Sequence, residues 1–234
     1  MVFCLRFRRV ALATLSVCSA LLFGAQSHEA MAAIVYDNGL PTIGDGGEVT
    51  EYVLANDFTL ASATSVTGGA IYIVGVGGIG SWDGTFDYWL FANTTGNSPG
   101  AVLASGSATG VSTTSIGPQN WTLGGDVFRI DFNLASPFSA AAGTNYWLGV
   151  HLSTNYTRDN IYWVRTPLTA AQGSRNYYSQ GGTFNNWTSP FAEQAFYLNG
   201  VPAGGAVPEP TSLAIFGLGA LGAACRARRR SFLA

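Results

Sequence analysis

Between residues 33 and 202 the chain is written in alternation. From Val127 to Leu134, the apolar Phe128, Ile130, Phe132 and Leu134 fall on one side, and Arg129, Asp131 and Asn133 on the other. A period of two belongs to an extended strand with one face toward a core, and a helix cannot satisfy it. Phe86, Tyr88 and Leu90 alternate in the same way with Asp87 and Trp89. So do Tyr146, Leu148, Val150 and Leu152 with Trp147, Gly149 and His151. Shorter runs at Ile34–Asp37, Val53–Leu60, Ala70–Val74, Val102–Gly106, Ile161–Arg165 and Ala195–Leu198 are further strand candidates. Turn signals separate them: Gly44-Asp45-Gly46-Gly47, Gly77-Gly78, Ser98-Pro99-Gly100, Gly124-Gly125, Gly181-Gly182 and Asn185-Asn186. The expectation is an all-β domain over residues 33–202, a jelly-roll-like β-sandwich, with a closed barrel as the alternative.

Composition agrees with many short strands. Only 10% of residues are charged and 30 are glycine, whereas about 25% charged is usual. The three cysteines, Cys4, Cys18 and Cys225, lie outside the domain. Its fold therefore rests on burial, without disulfides or cysteine-held metal. All 11 basic residues are arginine. Only Arg129, Arg158, Arg165 and Arg175 fall between residues 33 and 206, against eleven acids, for a formal charge of −7. An acidic domain repels phosphate backbones, which excludes nucleic acid as a partner.

The remaining arginines flank the two ends. Arg6, Arg8 and Arg9 precede an apolar run from Val10 to Ala25, and Ala30-Met31-Ala32 follows as a small-x-small cleavage site. Residues 1–32 read as a secretory signal with a helical apolar segment. At the other end, Val207-Pro208-Glu209-Pro210 precedes an apolar run from Leu213 to Cys225 and then Arg226, Arg228, Arg229 and Arg230. At about 1.5 Å per residue the 13-residue run reaches roughly 20 Å as a helix. Thr211, Ser212 and Ala227 extend it, and arginine side chains snorkel the rest of the way across a bilayer. Positive residues stay in the cytoplasm. Two arginine clusters thus place both ends inside and everything between them outside. Ala203-Gly204-Gly205-Ala206 reads as a short flexible linker between domain and tail.

The order and spacing of Val207-Pro208-Glu209-Pro210, the short glycine-bearing apolar stretch and the arginine cluster resemble the PEP-CTERM sorting signal; the resemblance covers about residues 205–234, with the signal itself at 207–234. The resemblance implies an exosortase as partner, a membrane-embedded cysteine transpeptidase of Gram-negative bacteria. It also implies an inner-membrane-anchored intermediate, followed by release to the outer surface or matrix. Pro208 and Pro210 lack amide donors and restrict φ, so Glu209 is presented in an extended segment, the form a protease binds. A second resemblance, carried by Ile34–Gly39, Ser81–Thr85, Ser98-Pro99-Gly100 and Gly182–Trp187, is to a domain common in exosortase-sorted proteins. It implies an architecture and no ligand.

Chemistry within the domain is sparse. Gly96-Asn97-Ser98-Pro99-Gly100 fits the G-x-S-x-G pattern in letters, yet Pro99 and the surrounding turn residues leave no helix to follow the serine. His151 is the one histidine beyond the signal, too few for a usual zinc site. Asp83 and Asp87, four apart on a strand, would stand about 13 Å apart, too far for a glycosidase pair unless Asp83 belongs to the preceding loop. Oxygen ligands near loops, chiefly Asp37, Asp57 and Asp83 with Asn38, Asp45 and Glu48, make structural calcium an open expectation and the only cofactor considered. Trp82, Trp121, Trp163 and Trp187, with Tyr177 and Tyr178, are candidates for stacking on sugar rings. The leading expectation is a secreted, non-catalytic surface or matrix protein. The alternative is a lectin-like module that binds exopolysaccharide.

Overall fold

The structure is a computed structural model that describes residues 32–41, 45–118, 125–167, 176–180, 184–188 and 193–203, the side chains of 176, 177 and 180 excepted. The signal segment, the sorting tail, residues 204–206 of the linker and Trp121 lie outside the described residues. Thirteen strands are present, and no helix occurs among the described residues. They are β1 (Ala33–Asp37), β2 (Gly46–Glu48), β3 (Tyr52–Thr59), β4 (Thr64–Gly75), β5 (Asp87–Asn93), β6 (Pro99–Ser107) and β7 (Thr109–Pro118). After these come β8 (Asp126–Ala140), β9 (Asn145–His151), β10 (Ile161–Thr166), β11 (Asn176–Gln180), β12 (Glu193–Gln194) and β13 (Phe196–Pro202).

Every pairing is antiparallel, and the strands make two sheets. One runs β11-β3-β9-β5-β6. The other is centred on β4, with β8 along one edge and β7 beyond it. The opposite edge of β4 is shared, β13 pairing with Thr64–Ile71 and β10 with Ile73–Gly75. Apart from the hairpins β5–β6 and β7–β8, strand partners are not consecutive in sequence, as with β3 and β9 or β4 and β13. The chain crosses between sheets at most connections, in the manner of a sandwich.

The inward faces meet in one core. Leu54, Phe58, Tyr88, Leu90, Leu148 and Val150 come from the five-stranded sheet. Ile71, Ile73, Ile130, Phe132, Trp163, Phe196 and Leu198 come from the other. Burial of a large apolar side chain contributes about 1.5–3 kcal/mol, so this cluster outweighs any surface pairing. Phe86, at the head of β5, stacks on Phe132 of the opposite sheet with centroids 4.4 Å apart. Smaller clusters form on the outer faces, Tyr72, Val74, Val127, Val164 and Ala195 on one sheet and Ala55, Phe91 and Trp147 on the other.

At Gly68-Gly69 the central strand requires glycine. A Cβ on Gly68 would sit 2.2 Å from the Phe132 carbonyl oxygen, and one on Gly69 would sit 2.2 Å from that of Tyr197. The β4 backbone is thus pressed between β8 and β13, at the place where the β4–β8 register breaks. A buried polar network also joins the two sheets. Glu193 is buried, and its Oε2 accepts hydrogen bonds from Asn38 Nδ2 and Asn56 Nδ2, both at 3.0 Å. Asn56 Oδ1 in turn accepts from the Gln194 amide at 2.9 Å. This network ties the end of β1 and the β12 segment to β3 of the other sheet. Beside it, burial and then the charges of Asp57, Glu193 and Asp37 push the Tyr36 phenol well above its ordinary range.

Candidate functional site

Alternation along three neighbouring strands builds a patch on the outer face of the five-stranded sheet. Register sets Asp57 of β3 beside Trp147 of β9, and Trp147 beside Phe91 of β5. The adjacent rung carries Ala55, Gly149 and Trp89. Gly149 matters here, because a Cβ would lie 2.7 Å from the Phe91 ring, which leans across it. The segment 184–188 then folds over this face. Phe184 meets Phe91 at 5.0 Å and Trp89 at 5.4 Å, and Trp187 meets Phe91 at 5.4 Å. Phe184 and Trp187 stack with their planes 16° apart. Phe91 and Trp147 are fully buried beneath, while Trp89, Phe184 and Trp187 keep part of their surface in solvent.

A polar network adjoins the rings. Asn145 Nδ2 donates to Asp57 Oδ2 at 3.2 Å and to Asn97 Oδ1 at 3.0 Å. Thr59 Oγ1 donates to Asn145 Oδ1 at 3.3 Å, and Trp147 Nε1 donates to Asn93 Oδ1 at 2.9 Å. Asn97 holds a left-handed backbone, with φ of 52°, a conformation asparagine tolerates better than most residues. The turn it occupies is closed by a 2.7 Å bond between the Thr94 and Ser98 hydroxyls.

Of the four tryptophans expected to stack on sugar, Trp121 lies outside the described residues, and Trp187 alone of the other three reaches this patch. Trp163 corrects the expectation: it is a core residue, wholly buried, with its Nε1 donating to the Ala195 carbonyl at 2.8 Å. Trp82 is half-buried in the loop before β5, packed on the main core, with Nε1 donating to the Thr85 carbonyl at 2.9 Å. Tyr178 faces inward and sets its ring edge-on to Tyr52 at 5.7 Å. Trp89 and Phe184 went unrecognised. Trp89 stood in the sequence opposite Tyr88 in the alternation, which was the signal available for it. For Phe184 no periodic signal exists.

The three aspartates considered for calcium are not brought together. Asp37 Oδ1 accepts from the Gly39 amide at 2.8 Å, and Asp57 serves Asn145 on the outer sheet face. Asp83 lies in the loop before β5, off the strand expected to carry it with Asp87. It accepts from the Thr85 amide at 2.8 Å and the Thr154 amide at 3.1 Å. Burial works to raise its carboxyl, but the bonds from Thr85 and Thr154 outweigh that and hold it below the usual range. Among the described residues no group of three His, Cys, Asp or Glu side chains could hold a metal ion. Asp87 accepts from the Ser107 hydroxyl at 2.6 Å.

His151 and Ser98 are engaged separately. The buried imidazole places Nδ1 3.2 Å from the Tyr52 carbonyl and Nε2 3.1 Å from that of Asn155, and it stacks on Tyr156 at 4.1 Å. Ser98 bonds to Thr94 instead.

Among the described residues no helix is long and apolar enough to cross a membrane, and the tail lies beyond them. A comparison with curated proteins finds none that matches the chain. Residues 206–230 match the family model of the PEP-CTERM protein-sorting motif, a match that stops short of the β domain. It spans the Val207–Pro210 motif, the apolar run and the arginine cluster, the three parts whose order carried the resemblance. The chain therefore carries a PEP-CTERM protein-sorting motif, which supports an exported, exosortase-sorted protein.

Proposed function

We propose that the protein is a non-catalytic component of the cell surface or extracellular matrix, displayed there after exosortase processing. The observation that carries this reading is the sorting motif at residues 206–230. In it, residues 1–32 direct export, Val207-Pro208-Glu209-Pro210 is the segment the exosortase recognises, and the apolar run from Leu213 to Cys225 holds the intermediate in the inner membrane. Arg226, Arg228, Arg229 and Arg230 stop transfer by remaining cytoplasmic. Residues 33–202 are the displayed part, a jelly-roll-like sandwich joined to the tail by residues 203–206. The separate engagement of Ser98 and His151 supports a passive role, and no cofactor enters this reading.

A domain that must survive outside the cell without a disulfide needs a closed core, and the apolar interior shared by both sheets suits that need. The test is deletion of Val207–Ala234. The truncated chain is expected in the periplasm, absent from the surface and unprocessed at its C-terminus. Unchanged surface display of the truncated chain would refute the proposal.

A further inference from the structure

The outer face of the five-stranded sheet joins two features that bland packing does not require together. Trp89, Phe184 and Trp187 form a partly solvent-exposed aromatic surface resting on buried Phe91 and Trp147. Asn145, two residues along β9 from buried Trp147 and four from Gly149, the partner of Trp89, stands about 7 Å and about 13 Å along the strand from those two rungs, and it bridges Asp57 and Asn97. Half-exposed rings offer flat apolar faces to the C–H side of a pyranose. Asn145 spends both Nδ2 hydrogens inside this network and accepts one bond from Thr59 at Oδ1, so what the network offers a sugar hydroxyl is preset acceptors.

We propose that this patch is a binding site for a neutral polysaccharide, with Trp89 and Trp187 as stacking residues and Asn145 as the polar anchor. Charge selects the ligand class. The domain carries −7 and places Asp57 within the patch, so uronate, sulfate or phosphate groups are repelled while uncharged hexose polymers are not. The site also explains why segment 184–188 crosses the sheet: it supplies two of the three exposed rings. The inference goes beyond sorting and does not depend on it, since a chain that is never displayed would still bind in solution.

The test uses the exported protein, with affinity electrophoresis and tryptophan fluorescence against a neutral glucan, mannan and galactan, and against alginate as the acidic polymer. Retardation and altered emission are expected with at least one neutral polymer and not with alginate. Trp187→Ala and Trp89→Ala should each weaken binding by about tenfold or more. Asn145→Ala, which leaves every ring in place, should weaken it as well, and Tyr197→Phe on the other sheet should not. Thermal midpoints close to the parent's establish that the variants are folded; if a tryptophan variant does not fold, Asn145→Ala decides. Lack of binding to all the neutral polymers overturns the proposal. So does equal binding to alginate, or affinity unchanged in Trp187→Ala and Asn145→Ala.

Discussion

Replacing Glu193 tests the polar network that joins the two sheets. Asn38 Nδ2 donates both to Glu193 Oε2 and to the Gln194 carbonyl, and Asn56 Nδ2 donates to Glu193 Oε2 and to the Asp57 carbonyl. Glu193→Ala therefore orphans one amide hydrogen on each of two buried asparagines. An unmet buried donor costs about 1–3 kcal/mol. Two of them, less the relief of no longer burying a carboxylate, give a net loss of about 2–4 kcal/mol. Glu193→Gln keeps an oxygen where Oε2 stood, so both donors remain satisfied and the loss should stay within about 1 kcal/mol. Urea unfolding of the exported protein reads the difference: at a slope of about 2.5 kcal/mol per molar, the alanine midpoint falls by about 1–1.5 M and the glutamine midpoint by under 0.5 M. Equal losses in the two variants would show that the negative charge, and not the acceptor, holds the network. A loss below about 1 kcal/mol in the alanine variant would show that the sheets do not rely on it.

Gly69→Ala places a methyl 2.2 Å from the Tyr197 carbonyl oxygen. It should lower the thermal midpoint far more than Gly77→Ala, which meets open space and bears only the strain of a φ of +83°. Trp163→Ala should cost about 3–5 kcal/mol in urea unfolding, as befits a core residue, whereas an exposed sugar-stacking residue would lose little. The Tyr197 phenol donates to Asp131 at 2.8 Å, and burial, then that bond, push it up to about 12 from 10.0. A raised phenol contributes stability that is full below pH 10 and lost as pH rises toward 12. Between those limits stability should fall more steeply in the parent than in Tyr197→Phe, as followed by unfolding at each pH.

The parts of the fold legible in the sequence are those where one face is apolar and the other is not. Phe86, Tyr88 and Leu90 of β5 and its approach, and Ile130, Phe132 and Leu134 of β8, turn inward as their alternation requires. β7 left no such trace, because Thr109–Pro118 is an edge strand exposed on both faces and so carries Ser, Thr and Gly. β2 falls where the sequence signals a turn, since Gly47, which lets Tyr178 and Leu54 approach the strand, resembles a glycine that bends a chain. Trp163 is hard to place from sequence for a different reason. Both outer sheet faces carry apolar clusters of their own, so alternation alone does not tell an inner tryptophan from an outer one. The sorting motif was readable because it depends on local order and spacing. The aromatic patch was not, because Phe184 reaches Trp89 and Phe91 only through tertiary folding.

Whether an exosortase cleaves this chain is read by comparing its mass and location in cells with and without that enzyme. With the exosortase present, the mature protein should be found at the surface or in the medium, lighter by the segment beyond the Val207–Pro210 motif. Without it, the chain should keep its C-terminal arginines and remain with the inner membrane. The same mass and the same location in both strains would contradict the account.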